Sequence, residues 1–169
     1  MEKRRNTRLL EAPAPTSDPM HVRPVTGGWL VQDPYRFITR RGDWRVVTVR
    51  RPTDAEWDDA ELAWRIAGWV KSNCVVLVKD GGAVGIGAGQ QSRVGAGEIA
   101  AKKAAGRAKG GASATDGFYP FPDGIDVAAE AGVTVVVQPG GSVKDVATIA
   151  RADELGLAMV FTDERHFFH

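Results

Sequence analysis

The chain has 169 residues, of which 43% are hydrophobic and 25% are charged, a composition typical of a globular domain that excludes disorder over most of its length. Its 22 lysine and arginine residues nearly balance 21 acidic residues, for a formal net charge of +1. This balance argues against a dedicated nucleic-acid-binding protein, in which basic residues should clearly predominate.

Three further features narrow the class of protein. Cys74 is the only cysteine, so an internal disulfide is impossible and a reducing compartment is expected. No apolar run reaches the roughly 18 residues that a membrane-spanning helix needs. The basic N-terminus also lacks the apolar core of a secretory signal. We therefore predict a cytoplasmic protein with neither a membrane partner nor a nucleic-acid partner.

Residues 1–25 are predicted to form a basic and then proline-rich N-terminal arm, followed by a single domain over residues 26–169. Within the arm, TRLLE (7–11) could add an edge strand. Four basic residues near the start could contact phosphate groups, although a solvated tail is the favoured interpretation. They are Lys3, Arg4, Arg5 and Arg8.

Two strands and a helix are predicted next. GGWLVQD (27–33) and DWRVVTVR (43–50) combine β-branched and aromatic residues between turn signals, as strands do. Thr53, with Glu56 three residues later, forms a capping box, which predicts the start of a helix after Pro52. Apolar residues then recur at steps of three and four, so this helix should bury one face.

A buried hairpin and a second helix follow in the sequence. CVVLVK (74–79) is apolar almost throughout, which is typical of a strand covered on both faces. The turn Asp80-Gly81-Gly82 leads into AVGIGA (83–88), so these two segments are predicted to pair as a hairpin. Residues 91–109 have a helical pattern despite several glycines.

The rest of the chain alternates between helices and strands. DVAAEA (126–131) predicts a short helix, and VTVVVQ (133–138) predicts a buried strand. Residues 142–155 predict a helix with Ser142 as its N-cap, and LAMVFT (157–162) predicts the last strand. This alternation predicts a three-layer α/β domain with several parallel strands.

The sequence contains none of the common catalytic motifs. The histidines and Cys74 show no spacing suited to zinc, since His21 is remote and His166 and His169 have no third ligand nearby. No Gly-x-Ser-x-Gly nucleophile elbow occurs, and Cys74 is interpreted as a small core residue. GIGAG matches neither standard nucleotide-binding glycine loop. Neither a zinc centre nor a catalytic nucleophile is therefore predicted.

Polar and aromatic residues cluster instead at the predicted ends of elements. Lys71-Ser72-Asn73 precedes a buried strand, and Gln90-Gln91-Ser92-Arg93 precedes a helix. DGFYPFPD (116–123) is an aromatic turn stiffened by proline, and the chain ends on RHFFH (165–169). Because open α/β sheets bind ligands at strand ends, these residues predict a site for a flat, polar ligand.

The same segments resemble a known family. They are KSNCVVLVKDGGAVGIGAGQQSRV, ATDGFYPFPDGID, AGVTVVVQPGGSVKD and LGLAMVFTDERHFFH. In this order they resemble the C-terminal part of AICAR transformylase, the formyltransferase half of the bifunctional purine biosynthesis protein whose other half is IMP cyclohydrolase. GGWLVQD and WRVVTVRRPT are similar to the segment just upstream in that family, so the resemblance extends from Asn6 to His169.

The resemblance implies a fold and a reaction. The family's transformylase region consists of two tandem cytidine-deaminase-like units, and this chain resembles the second. It implies a three-layer α/β/α cytidine-deaminase-like domain with a mixed sheet and no zinc. The family transfers a formyl group from 10-formyltetrahydrofolate, the cosubstrate, to the 5-amino group of AICAR. AICAR and a folate are therefore the implied small-molecule partners, with no metal cofactor.

The resemblance also implies roles for individual residues. Asn73 matches an asparagine that helps to hold the reacting groups together. Arg93 is similar to an arginine on the folate side of the site, with Ser92 and Val94 beside it. Further residues match positions that contact AICAR or the pterin ring. They are Phe118, Pro120 and Asp123 in the aromatic turn, and Arg165, Phe167 and His169 at the terminus.

Two departures from the family pattern bear on activity. Thr115-Asp116-Gly117 stands where the family usually has serine-aspartate-alanine. The lysine-histidine pair that carries proton transfer belongs to the first unit, upstream of the segments matched here. Since the AICAR amine is a weak nucleophile, the lack of this pair should slow formyl transfer strongly.

Three functions follow as hypotheses. The first is a formyltransferase component that supplies only half of the complete site. The second is a catalytically silent module that binds AICAR or a folate, and the third is a unit repurposed for other amine or one-carbon chemistry. A lone second unit would expose the surface that its partner covers, so we expect a homodimer or a partner chain that supplies the first unit.

Overall fold

The computed structural model describes residues 10–14 and 20–168. The four basic residues of the predicted arm, most of its predicted edge strand and His169 lie outside the described residues. The chain divides into two compact units, one ending at Arg36 and the other beginning at Phe37. The single domain over 26–169 stays a prediction. Within the described ranges, no helix is long and apolar enough to cross a membrane.

The first unit contains a β-hairpin. Strand β1 (His21–Val25) pairs antiparallel with β2 (Gly28–Gln32), so that His21 lies opposite Gln32 and Val25 opposite Gly28. The turn holds Gly27 at a φ of 85°, a conformation that glycine adopts without strain. The strand predicted over 27–33 is confirmed, and its partner comes from the end of the predicted arm.

The described residues of the second unit form one sheet and four α-helices. The strands are β3 (Arg45–Val46), β4 (Val75–Lys79), β5 (Gly82–Gly87), β6 (Ala112–Thr115), β7 (Val135–Gln138) and β8 (Ala158–Phe161). The helices are α1 (Asp54–Ala67), α2 (Arg93–Ala104), α3 (Asp123–Glu130) and α4 (Asp145–Glu154). A short 3-10 helix covers Arg41–Asp43.

The sheet is mixed, with the strand order β3-β8-β7-β6-β4-β5. Strands β6, β7 and β8 run parallel, whereas β4 runs antiparallel to both β5 and β6, and β3 runs antiparallel to β8. Helix α1 covers one face of the sheet, while α2, α3 and α4 cover the other. The predicted three-layer α/β/α architecture with a mixed sheet is confirmed.

Strand side chains alternate between two hydrophobic cores. In β7, Val135 and Val137 pack in the core under α1, whereas Val136 packs in the core on the opposite face. Trp64 of α1 is fully buried in the first core, and Met159 of β8 is fully buried in the second. Burial on both faces explains the continuous apolar runs in the sequence.

Two local signals are confirmed in atomic detail. Glu56 N donates to the Thr53 hydroxyl at 3.4 Å, and Thr53 N donates to the Glu56 carboxylate at 2.8 Å, so the capping box of α1 is complete. The predicted hairpin joins β4 to β5. Its turn is held by the buried carboxylate of Asp59, which accepts hydrogen bonds from Asp80 N and Gly81 N.

Some element ends differ from prediction. Helix α3 begins earlier than predicted, and the predicted N-cap of α4 is wrong, because Lys144 occupies that position while Ser142 Oγ accepts from Lys144 N at 3.1 Å. The strand predicted over 43–50 is reduced to β3. Just after β3, Met159 N of β8 donates to the Thr48 hydroxyl at 2.8 Å instead of to a backbone carbonyl, so the pairing of β3 with β8 ends.

Strand β6 lies where no strand is predicted. Its sequence, Ala-Ser-Ala-Thr, offers little of the β-branched or aromatic character that marks a strand. All four residues are nevertheless buried between β4 and β7. A Cβ on the preceding Gly111 would lie 2.2 Å from Val78 O, so the backbone of the neighbouring strand leaves no room there for a side chain.

Candidate functional site

A cavity of about 290 Å³ gathers four of the residues that the sequence singles out: Asn73, Arg93, Pro120 and Asp123. They come from the segment before β4, the first turn of α2, the loop that leads into α3 and the first residue of α3. The rest of its lining consists of Gln91, Ser92, Val94, Tyr119 and Phe121. Three segments that are remote in sequence therefore converge on one concave surface.

Asn73 is fixed by Gln90, which lies in the loop between β5 and α2. Asn73 N and its side-chain Nδ2 both donate to Gln90 O, at 3.3 and 2.9 Å, and Gln90 N donates back to Asn73 O at 3.1 Å. Its amide nitrogen is therefore engaged with the backbone. The side-chain oxygen, to which no described residue donates a hydrogen bond, can accept one from a ligand.

Arg93 is the first residue of α2, directly after the N-cap Ser92, whose hydroxyl accepts from Gly95 N. Its side chain does not extend into solvent, since only 15% of it is exposed. Arg93 Nε donates to Thr115 Oγ1 at 3.1 Å, and Nη2 lies 3.6 Å from Asp116 Oδ1. The arginine thus spans from the cavity to the end of β6.

Asp116 joins the segments of the site. Its fully buried carboxylate accepts hydrogen bonds from the Ser72 hydroxyl and, at 3.1 Å, from Cys74 N, while it also faces Arg93. Its carbonyl oxygen accepts from His166 N at 2.9 Å. Asp116 is predicted only as part of the aromatic turn, and its link to Ser72 was not foreseen because the two residues are 44 positions apart. The available signal is an acidic residue between buried small residues and an aromatic turn.

The aromatic turn is anchored to β7 through the side chain of Gln138. Tyr119 N donates to the side-chain oxygen of buried Gln138 at 2.9 Å, and burial raises the pKa of the Tyr119 hydroxyl to about 12. A Cβ on Gly124 would lie 2.3 Å from the Tyr119 ring, so α3 can approach the ring only with glycine there. Phe121 remains 55% exposed and presents an apolar surface at the cavity.

The C-terminal segment lies beside this region. Ser72 N donates to Phe168 O at 2.9 Å, which ties the C-terminal segment to the residue next to Asn73. The Arg165 guanidinium lies 4.9 Å from the centre of the Phe118 ring, and both Arg165 and Phe167 are exposed. These three predicted residues are not part of the lining of the cavity.

His166 points inward between its exposed neighbours. Its ring lies 4.7 Å from the ring of Phe37 and 4.5 Å from that of Trp64, and it is 1% exposed. Burial lowers the pKa of His166, although the charges of Glu164 and Asp116 oppose that shift. The imidazole is therefore packed among aromatic rings, with Glu164 Oε1 3.9 Å from its Nε2.

Cys74 is buried, and its thiol donates to Ala67 O at 3.4 Å. Burial and the nearby charge of Asp116 raise the pKa of this thiol to about 12. The structure thus places Cys74 in the core under α1, as the sequence indicates. Among residues 10–14 and 20–168, no three His, Cys, Asp or Glu side chains are grouped so that they could hold a metal ion.

Comparison with known proteins gives a consistent set of relatives. The model of the AICARFT/IMPCHase bienzyme family matches residues 1–103. The bifunctional purine biosynthesis protein PurH of Dinoroseobacter shibae is 50% identical over 98% of this chain and 34% of its own length. PurH of Acaryochloris marina is 44% identical, over 100% of this chain and 32% of its own length. The chain spans about one third of the length of these curated relatives.

Proposed function

This chain belongs to the AICARFT/IMPCHase bienzyme family, and from that membership we propose that it is a formyltransferase component of de novo purine biosynthesis. In the proposed reaction, the formyl group of 10-formyltetrahydrofolate passes to the 5-amino group of AICAR. The chain supplies binding groups for these two ligands. A first transformylase unit, on another polypeptide or another part of a longer protein, supplies the proton-transfer groups.

The cavity is the observation that carries the proposal. The residues for which the resemblance implies ligand contacts lie in different segments, yet Asn73, Arg93, Pro120 and Asp123 line one surface. Ligand pockets in proteins commonly measure about 300–1,000 Å³. At about 290 Å³, this cavity suits part of one ligand and is too small for a nucleotide together with a folate. The size of the cavity therefore supports the proposal that this chain supplies only half of a site that it shares with a first transformylase unit.

Each lining group suits one part of a flat, polar ligand. Pro120 and the exposed ring of Phe121 offer apolar surfaces for a pterin or imidazole ring. The Asn73 side-chain oxygen accepts a hydrogen bond from a ring N–H or an amino group, and Arg93 donates to a ring or carboxylate oxygen. The Asp123 carboxylate can accept from an amino group of the ligand.

A second candidate function is a catalytically silent module that binds AICAR or a folate, or one repurposed for other amine or one-carbon chemistry. The titratable groups near the cavity favour it. The pKa values of Cys74 and Tyr119 are raised to about 12 by burial, so neither group can accept a proton at neutral pH. Buried His166 is packed between aromatic rings and away from the cavity.

We also propose that this chain assembles, either with itself as a homodimer or with a first transformylase unit. Three valines on the second unit are largely exposed, Val49 at 90%, Val143 at 98% and Val146 at 82%, and they are the side chains that we propose assembly to cover. Light scattering at high micromolar concentration should show a dimer, and a monomer mass there contradicts self-association.

Titration calorimetry with AICAR and with 10-formyltetrahydrofolate tests the proposal. We expect the wild-type chain to bind at least one of them and Asp123→Asn to weaken that binding. Asp126→Asn is a matched control on the same helix, since Asp126 pairs with Arg151 and does not line the cavity. If the chain binds neither AICAR nor 10-formyltetrahydrofolate, both the formyltransferase proposal and the binding-module alternative are contradicted.

A further inference from the structure

One face of the β-hairpin in the first unit carries only apolar side chains along its paired strands. Val22 lies opposite Val31, and Pro24 lies opposite Trp29. Residues that face each other in an antiparallel pair, and every second residue along a strand, point to the same side. These four residues therefore share one face, called here the apolar hairpin face. All four are exposed, and Trp29 is 67% exposed.

The opposite face of the hairpin holds its polar residues. Arg23 lies opposite Leu30, and His21 lies opposite Gln32. Leu30 is 60% exposed, so it resembles Trp29 in exposure while it points to the other side. The two faces thus differ in chemistry although their residues alternate along the same two strands.

This hairpin needs a cover for its apolar hairpin face. A two-stranded hairpin is only marginally stable in water, and independent stability requires further strands or a packed hydrophobic face. The described residues of the first unit form this hairpin and no other strand or helix. The outer edge of β1 is poorly suited to adding a strand, because Pro24 has no N–H to donate. Packing of the apolar hairpin face is therefore the route to stability that this unit offers.

We propose that the apolar hairpin face docks against the same face of a second copy of the chain, so that two hairpins stack as a four-stranded sandwich about a twofold axis. The face carries no charged residue, so two copies meet there without repulsion, and it offers nothing to an acidic or a basic partner. The opposite face would instead bring two Arg23 side chains into one interface. The chain has a formal net charge of only +1, so long-range repulsion between copies is small.

Sedimentation equilibrium of the complete chain tests this docking face. Trp29→Lys should weaken self-association by about tenfold or more, because buried tryptophans are among the few residues that dominate an interface. Leu30→Lys is the matched control, since it adds the same charge to the neighbouring residue of β2, which has similar exposure on the opposite face. It should change self-association less than about twofold. Equal weakening by both variants, or unchanged association of Trp29→Lys, overturns the proposal.

Thiol protection asks the same question without adding a charge to the hairpin. Cys74, the only natural cysteine, is buried and does not compete for the reagent. Between low and high micromolar concentration, the thiol of Val31→Cys should become about fivefold or more slower to react, because association covers it by mass action. The thiol of Leu30→Cys should react equally fast at both concentrations. Protection of Val31→Cys that does not depend on concentration indicates cover from within one chain and overturns the proposal.

The inference goes beyond the assembly proposed above, because it names the element that joins the copies, and it does not rest on the identity of the ligand. None of the four residues lines the cavity. A wild-type chain that binds AICAR or 10-formyltetrahydrofolate but stays monomeric at high micromolar concentration overturns the docking face and leaves the formyltransferase proposal standing. A chain that associates through this face but binds neither ligand supports the docking face and contradicts the formyltransferase proposal.

Discussion

Two buried carboxylates lie near opposite ends of the parallel strands, and each is placed beside an arginine. Asp116 follows β6 at its carboxyl end and is fully buried. Glu56, in the first turn of α1, is 9% exposed and accepts a hydrogen bond from Thr134, which precedes β7 at its amino end. The two ends are alike in chemistry and differ in what surrounds them.

The Glu56 end is closed by hydrogen bonds within the protein. Burial alone would raise the pKa of Glu56, but donors on Thr134, Thr53 and Arg50 lower it to about 2. The Asp116 end instead shares its arginine with a cavity. A buried acid beside an arginine is therefore no sign of function by itself. What distinguishes the candidate site is the concave surface on which several segments converge.

The largest expected effect concerns catalysis at the Asp116 end. With AICAR and 10-formyltetrahydrofolate, the chain alone should transfer formyl groups about 10²–10⁴-fold more slowly than with a first-unit polypeptide added, because the proposed reaction takes its proton-transfer groups from that first unit. Among the described groups near the cavity, burial raises the pKa values of Tyr119 and Cys74 to about 12, and buried His166 is not part of the cavity lining. A turnover of about one per second by the chain alone, typical of complete enzymes, contradicts this prediction.

The next effect separates stability from binding. Glu56→Gln should lower the free energy of unfolding by about 3 kcal/mol, because it leaves Arg50 without its counter-charge and weakens the capping box. It should not change affinity for AICAR or a folate. Asp116→Asn should weaken that affinity about tenfold or more, since Arg93 loses its buried counter-charge. Urea unfolding measures the loss of stability, and calorimetry measures the loss of affinity. If Glu56→Gln weakens ligand binding as much as Asp116→Asn does, the predicted difference between the two carboxylates is wrong.

Acid should lower the stability of the folded chain by protonating Glu56. Its pKa is about 2 in the folded chain against 4.5 for a free glutamate, and a lowered pKa stabilises fully above the unfolded value. This contribution, of order 3 kcal/mol at 1.36 kcal/mol per pKa unit, should disappear as pH falls from about 4.5 to about 2. Urea midpoints of wild type and Glu56→Gln should converge over that range. Parallel pH curves for the two proteins refute the assignment.

The smallest effect on stability is expected from Arg165→Ala. Its guanidinium lies over Phe118 in an exposed position, where such a contact contributes about 0.5–1 kcal/mol. Affinity for AICAR should nevertheless fall about tenfold, a loss of about 1.4 kcal/mol, if Arg165 contacts the ligand. Arg45→Ala is the matched control, because Arg45 is also an exposed arginine over a ring, that of Phe161. Equal losses of affinity in both variants indicate an indirect effect.

The sequence predictions were accurate where the stabilising interactions are local in sequence, and they failed where the interactions join distant residues. The α1 capping box and the β4–β5 hairpin were predictable because Thr53 with Glu56, and the Asp80–Gly82 turn, act within a few residues. Strand β6 was not, since its small residues reflect the crowding of neighbouring strands rather than strand propensity. The α4 cap was misplaced by two residues because Ser142 bonds within the preceding turn.

The sequence by itself determined the fold class, because hydrophobic periodicity is written along the chain. The individual site residues were predicted from the resemblance of its motifs to a known family. Only the tertiary structure decided which nominated residues meet. It placed Asn73 and Arg93 on one cavity, left Arg165 outside its lining, and brought Ser72 to Asp116 across 44 positions. Contacts at such separations depend on how strands are ordered in the sheet, and no local pattern encodes that order.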